Sequence, residues 1–341
     1  MSAPVDVRVT PGAPTGPLLA VEDLRVRFAT EDGPVYAVNG VSFALGAGEI
    51  LAIVGESGCG KSVTAMAIPG LLPATATVTG SIWLSGRDLL SMTQKQLREV
   101  RGKDVSFVFQ EPMTSLNPAF TVGRQIREVL QRHEGLSKRA AQARAVELLE
   151  LVRIPAPQRR VDEYPHQLSG GMRQRVMIAI GVACGPKVLI ADEPTTALDV
   201  TIQAGVLDIM RNLRSELGTA IILITHDLGV VADLADRVVV MYAGTPVETA
   251  EIHELFAHPQ HPYTNGLLGA IPHREKGVEQ VARTRLSEIP GLVPSLRSEP
   301  DLCPFAPRCP RSTEVCVSRR PLLEPTRPHH PTACYHPGKD A

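Results

Sequence analysis

The run Gly55-Glu56-Ser57-Gly58-Cys59-Gly60-Lys61-Ser62 fits the spacing G-x-x-x-x-G-K-[ST]. It directly follows the apolar stretch Ile50-Leu51-Ala52-Ile53-Val54 and leads into the helix-compatible segment Val63 to Ile68. Glycines in this order let successive backbone N–H groups turn inward around phosphate oxygens, and the N-terminus of the next helix adds partial positive charge. Lys61 is expected to reach the β- and γ-phosphates of a nucleoside triphosphate. Ser62 is expected to place its hydroxyl on Mg²⁺, a hard cation that takes oxygen ligands. The bland alternative, a glycine turn beside a surface lysine, does not account for every fixed position being matched between a strand and a helix.

Val188-Leu189-Ile190-Ala191-Asp192-Glu193 is a short apolar run ending in two acids, the pattern of a buried parallel strand whose carboxyl end opens into a ligand crevice. Asp192 is the expected member of the metal shell. Glu193, one residue on, is left to orient or deprotonate an attacking water. Alone, an acidic pair after a strand is more often a helix cap or a solvated turn; a phosphate loop upstream reverses that weighting. Gln110 closes the β-rich run Val105 to Phe109, and His226 closes Ala220 to Thr225. Gln110 is thereby placed to meet Mg²⁺ or the attacking water. A lone glutamine or histidine at a strand end is usually a satisfied turn residue, but both fall on the edge where a doubly wound sheet binds ligands.

The elements that position these residues are readable in outline. Leu19 to about Gly86 is a set of short β-rich segments around the phosphate loop, and the sheet resumes at Val105. From Thr121 to Arg153 the pattern is helical, most clearly over Ser137 to Val152, where Ser137 can cap and Val146, Leu149 and Val152 share a face. Near Pro259 the composition shifts toward proline, arginine and histidine.

One phosphate loop satisfies one triphosphate, so Leu168-Ser169-Gly170-Gly171 points to a second surface. Two glycines after Ser169, ahead of the amphipathic stretch Met172 to Cys184, predict a helix N-terminus with open N–H groups, a second anion site. With that run in place the chain resembles the ATP-binding subunits of ABC transporters. The resemblance spans about Leu19 to Leu268 and takes in Gly55 to Ser62, Gln110, Leu168 to Gly171, Val188 to Glu193, Ala197-Leu198-Asp199 and His226 in the family's order. It implies an α/β fold: a P-loop NTPase cassette with a RecA-like parallel-sheet core, an antiparallel β subdomain and a helical insert, plus a small Cys/Pro-rich tail. The implied division is a flexible lead at 1–17, a cassette at 18–258 with its insert at about 111–170, and an extension at 259–341.

The resemblance further implies two cassettes packed head to tail, the signature Ser169 and glycines of one meeting the γ-phosphate held by the other. Asp199 matches the loop that crosses this interface, and His226 the γ-phosphate switch. The usual fifth signature residue, glutamine, is Met172 here, with Gln174 two positions on. The aromatic that stacks on adenine corresponds to Phe28, with Tyr36 as the other candidate. Ser115-Leu116-Asn117-Pro118 after Gln110, and His261-Pro262-Tyr263-Thr264 beyond the last cassette strand, resemble the peptide and nickel importer branch. That branch implies a homologous sister cassette, two transmembrane permease subunits, an extracytoplasmic solute-binding protein, and a peripheral position on the cytoplasmic face of the membrane. The insert and the Glu111 to Thr121 segment would be the docking surface for the permeases.

Composition is compatible with this. A formal net charge of -1 gives no polybasic footprint for nucleic acid. No apolar stretch approaches the roughly 20 residues that span a bilayer, and Met1 to Pro17 lacks an apolar h-region, so it reads as a flexible lead and not a signal peptide. A cassette acting on ribosomes or DNA is the competing class; the first usually joins two cassettes in one chain and the second inserts long coiled coils, and neither feature is present.

Four of the six cysteines, Cys303, Cys309, Cys316 and Cys334, fall in the proline-rich tail. In a reducing compartment disulfides are disfavoured, which leaves metal ligation, with four thiolates matching tetrahedral zinc or a [4Fe–4S] cube, or else unligated thiols. The absence of a C-x-x-C pair weakens zinc, and the long spacings suit a loop wrapped around a larger cofactor. Similar tails in peptide-importer ATPases point to iron and sulfur, so the expected cofactors are ATP, Mg²⁺ and a [4Fe–4S] cluster.

Overall fold

Five short apolar runs, each too hydrophobic to face water on either side, set the architecture. The computed structural model describes residues 16–196, 199–270 and 289–338. Its strands, in chain order, are β1 (Leu19–Thr30), β2 (Gly33–Leu45), β3 (Ile50–Val54), β4 (Ala76–Leu84), β5 (Arg87–Asp88), β6 (Val105–Val108), β7 (Val188–Asp192), β8 (Ala220–Ile224), β9 (Arg237–Tyr242), β10 (Thr245–Glu251), β11 (Glu324–Arg327) and β12 (His330–Thr332).

Strands β6, β7, β8, β3 and β9 lie side by side and parallel. Every residue of β3, β7 and β8 is buried, as expected for central strands covered by crossover helices on both faces. Because β3 and β7 are not neighbours but are separated by β8, the loops after them flank a crevice at the carboxyl edge of the sheet. A second sheet, in the order β2-β1-β4-β5, is antiparallel. Its inward residues Leu19, Val21, Leu24 and Val26 are buried, with polar neighbours between them.

Between β6 and β7 the chain is helical. Thr121 caps Val122–Glu134 by accepting from the Arg124 N–H, and Ser137 caps Lys138–Leu151 by accepting from Ala140 N–H at 3.3 Å. Each hydroxyl satisfies one of the donors that a helix start leaves without an intrahelical partner. Leu148, Leu149 and Val152 are buried and Val146 is half-buried against them. The third long helix, Gly170–Val182, departs from the amphipathic expectation: residues Val176 to Ala179, Gly181 and Val182 are buried around most of its circumference. It fits under the sheet, Gly181 lying against Val108 and Leu189, and so carries little polar face.

The tail differs from the cassette in composition and yet packs as part of it. The hairpin β11–β12 extends the central sheet beyond the antiparallel β10, with Glu248 paired to Thr332 and the Ala333 N–H donating to Val247 at 2.8 Å. Eleven prolines between 290 and 337 preclude a long helix there, and residues 289–338 hold a single turn at Ala306–Arg308 and a short helix at Glu314–Ser318. The join is sealed by Glu248, whose side chain is fully buried. Its Oε1 accepts from Gln260 N–H at 2.7 Å and lies 2.6 Å from His330 Nε2, and its Oε2 accepts from His261 N–H at 2.9 Å.

A buried carboxylate serving three partners leaves them unsatisfied when it is removed. Glu248→Ala is expected to cost about 3 kcal/mol of stability or more and to make the tail more susceptible to limited proteolysis. Unchanged cleavage and an unchanged urea midpoint would show that the hairpin does not depend on this carboxylate.

Candidate active site

The phosphate loop follows β3 and ends in the helix Lys61–Ala67. Gly60 has φ 86°, and a Cβ on it would sit 2.3 Å from the carbonyl oxygen of Ala37, so both conformation and space demand glycine. Lys61 is buried and its Nζ donates to the carbonyls of Gly55 at 2.8 Å and Glu56 at 2.9 Å. Burial lowers its pKa, opposed by the nearby Cys59, Glu193, Asp192 and Glu56. The ammonium therefore lies inside the loop's curve, within the field of the acids at the end of β7.

Those acids have different partners. Asp192 ends β7, and its Oδ1 accepts from Ser62 Oγ at 3.1 Å, which places side by side two oxygens of the kind a hard cation takes. Burial raises the Asp192 pKa, countered by the Ser62 hydrogen bond. Glu193 sits in the left-handed region at φ 46°, with its N–H donating to Ile224 at 2.9 Å. That turn swings its side chain away from Asp192, a strained backbone of the kind found at functional sites. The Glu193 carboxylate accepts from Gln110 Nε2 at 3.0 Å and from Thr196 Oγ1 at 2.8 Å, and it lies 3.3 Å from His226 Nδ1. Gln110 and His226, from distant parts of the chain, thus join the local Thr196 at one carboxylate. Gln110 is turned toward Glu193 and makes this contact in place of one to Ser62 or Asp192. Thr196 was not anticipated, though a threonine three residues beyond an acid at a turn is a recognisable local pairing.

Ser169 caps the helix Gly170–Val182, accepting from Met172 N–H, with Leu168 buried behind it. Gly170 faces open space, and a Cβ on Gly171 would lie 2.5 Å from Ile202 Cγ2. Ile202 belongs to the helix Val200–Leu217, which Asp199 caps by accepting from the Ile202 N–H at 2.9 Å. The glycine is what lets the signature helix and the Asp199 helix touch. Ala197 and Leu198 lie outside the described residues, as do residues 1–15 of the expected lead.

Of the two aromatics, Phe28 on β1 is half-buried against the core. Tyr36 on β2 lines a surface cavity with Arg25, Arg27, Thr77, Thr79 and Glu299. The His261-Pro262-Tyr263-Thr264 segment turns out to touch the phosphate loop directly. His261 caps the helix Pro262–Gly269, and burial lowers its pKa to about 4, so it is neutral. The hydroxyl of the buried Tyr263 accepts from the Glu56 N–H at 2.7 Å. From the sequence Tyr263 carried only a family resemblance, because its partner lies 207 positions away.

The tail cysteines gather in one region. Burial raises the Cys334 pKa to about 11, and the neighbouring Cys303, Cys309 and Cys316 add to the rise. Burial likewise raises Cys303, opposed by N–H groups of Phe305 and Ala306 directed at its sulfur. Cys334 Sγ accepts from the His336 N–H at 3.3 Å, and Thr313 Oγ1 lies 3.6 Å from Cys316 Sγ. Among the described residues no disulfide forms, and no three His, Cys, Asp or Glu side chains stand ready to hold a single metal ion. No helix among the described residues is long and apolar enough to cross a membrane.

Comparison with known proteins agrees with this geometry. The ABC transporter family model matches residues 38–196, and the oligopeptide/dipeptide transporter C-terminal region matches residues 247–316. The chain is 49% identical over 325 residues to the oligopeptide transport ATP-binding protein OppD of Salmonella typhimurium, covering 95% of each chain. It is 53% identical over 308 residues to OppD of Bacillus subtilis, covering 90% of this chain and 85% of that one. Among solved structures, the dimeric post-hydrolysis ATP-binding cassette MJ0796, bound to ADP and Pi, superposes with a TM-score of 0.62 at 26% identity, covering 69% of this chain and 98% of that one. With a phosphate loop, a signature helix and an acidic strand end assembled on one parallel sheet, and with relatives this similar along nearly its whole length, the chain belongs to the ATP-binding proteins of ABC transporters, in the oligopeptide/dipeptide branch.

Proposed function

We propose that this protein binds and hydrolyses ATP to energise the import of oligopeptides or dipeptides through separate transmembrane subunits. The observation that carries the reading is the Glu193 carboxylate, held by Gln110, Thr196 and His226 beyond the strand whose last residue, Asp192, meets Ser62. In this reading the inward N–H groups from Gly55 through Lys61, Glu56, Ser57, Gly58, Cys59 and Gly60 included, cradle the phosphates. Lys61 turns from the carbonyls of Gly55 and Glu56 to the β- and γ-phosphate oxygens. Ser62, Asp192 and Gln110 would hold Mg²⁺, which when bound would supply positive charge against the phosphate oxygens. Glu193 takes the proton of the attacking water, which Gln110 helps to align, while His226 reads the γ-phosphate. Phe28 supplies the adenine contact from β1.

The site is completed by a second cassette, a homologous sister in our reading. Its signature serine, the counterpart of Ser169, closes over the nucleotide held at Lys61, while Leu168 to Gly171 of this chain serve the nucleotide of the sister. Asp199 crosses the interface beside the signature helix. The assembly is peripheral, on the cytoplasmic face, with two permeases and an extracytoplasmic binding protein. The cassette at 18–258 supplies the motor and the extension at 259–341 the branch-specific tail.

We further infer that the tail holds a [4Fe–4S] cluster through Cys303, Cys309, Cys316 and Cys334. The supporting observation is that Cys334 neighbours the other three cysteines and that peptide N–H groups directed at Cys303 and Cys334 favour ionised sulfur, against the burial that raises both pKa values. When bound, the cluster would act as a cross-link for a segment too rich in proline to build a core of its own.

Three outcomes are expected. Glu193→Gln lowers ATP turnover of the assembled transporter by about 10²-fold or more while ATP binding persists; full turnover in this variant would remove Glu193 as the base. Glu193→Gln also traps a nucleotide-bound cassette pair detectable by size-exclusion chromatography, and a further Ser169→Arg change in this chain prevents it. Anaerobically purified protein contains iron and a broad thiolate-to-iron absorption band, both reduced in Cys334→Ser; zinc alone, or no metal, would end the cluster assignment.

A further inference from the structure

The phosphate loop carries an acid, Glu56, in a place that must receive a polyanion. Its carboxylate is gripped by Arg308 through two parallel contacts, Nη1 to Oε2 at 2.6 Å and Nη2 to Oε1 at 3.0 Å. The Arg308 side chain is only 7% exposed and Glu56 28%. The remaining guanidinium donors are also satisfied: Nε donates to Pro290 at 2.8 Å, Nη2 to Ile289 at 2.9 Å, and Nη1 to Tyr242 Oη at 3.3 Å. A planar fork with all five N–H groups engaged has little freedom left, so its partner is held in one place.

The same residue is held from a second side. Tyr263 Oη accepts from the Glu56 N–H at 2.7 Å, and Glu56 O accepts from Lys61 Nζ at 2.9 Å. Tyr263 packs edge-on against Tyr242 at 4.8 Å and tilted against Phe305 at 5.4 Å between ring centroids. Phe305 begins the turn that carries Arg308, one residue before Cys309. A loop reached early in the chain is therefore fixed by residues more than 200 positions later.

We propose that Arg308 is a positioning residue for nucleotide: by neutralising and anchoring Glu56, it lets the loop accept the triphosphate and makes ATP affinity depend on the docked tail. This rests on the ATP-binding reading of the loop. Without Arg308 an unpaired carboxylate is left on the phosphate loop itself, and like charges brought close at low effective dielectric repel strongly. Arg308 touches Glu56 and not the reacting atoms, so its effect falls on binding and not on the proton transfer at Glu193.

The test is MgATP binding by the full-length chain, measured by titration calorimetry, with thermal melts as a folding control. Arg308→Gln should weaken binding about tenfold, which corresponds to 1.4 kcal/mol, and adding Glu56→Gln should restore most of that loss by removing the unpaired charge. A role confined to holding the tail in place would not be rescued by the second change. Arg308→Lys, which keeps the charge and loses the fork, should fall between wild type and Arg308→Gln, and it carries the test if Arg308→Gln does not fold. Wild-type binding with unchanged affinity in the Arg308 variants, or a loss that Glu56→Gln does not repair, overturns the proposal; failure of the wild-type chain to bind MgATP overturns the nucleotide reading itself.

Discussion

A phosphate cradle made of backbone N–H groups works only if the backbone is held open and bent the same way before the ligand arrives. In this protein that constraint is met from below and from outside. Below, the fully buried β3 fixes where the loop begins, and Gly60 packs so closely on Ala37 that no side chain fits. Outside, Tyr263 and Arg308 hold Glu56 by its N–H and its carboxylate. The Lys61 ammonium, lying on the carbonyls of Gly55 and Glu56, is positioned by the same curve. Preorganisation of this kind lowers the ordering cost that nucleotide binding must overcome.

The chemistry at the other side of the crevice depends on the strand order. Because only β8 separates β7 from β3, Asp192 at the end of β7 reaches Ser62 at the end of the loop. Adjacent acids would repel if both pointed into the same spot. The positive φ of Glu193 separates them, leaving Asp192 on Ser62 and Glu193 among Gln110, Thr196 and His226. The strain in that turn falls where two adjacent carboxylates have different partners. On the far side, Gly171 lies directly against Ile202, so the signature helix packs on the helix that Asp199 caps.

The tail shows how a segment with a poor core of its own can be ordered by what it joins. Its hairpin continues the central sheet, Glu248 closes the seam, and Phe305 completes an aromatic cluster with Tyr242 and Tyr263. These contacts bring the cysteine-bearing turn and the phosphate loop into one packed unit. The boundary near Pro259, visible as a change of composition, is accordingly not a boundary in packing.

Residue spacing alone determined the phosphate loop, the acidic strand end, the signature run, the cap at Ser137 and the buried character of β7, because each of these is governed by neighbours a few positions away. Periodicity failed at Met172 to Cys184, where a helix covered on most sides has no polar face to reveal it. Only the tertiary structure decided that Gln110 and His226 share one carboxylate, that Tyr263 is a phosphate-loop contact, and that Arg308 answers Glu56. Such pairings join positions up to 252 residues apart. Sheet order and the docking of the tail create them, and neither the spacing nor the type of the individual residues encodes which distant partner each will meet.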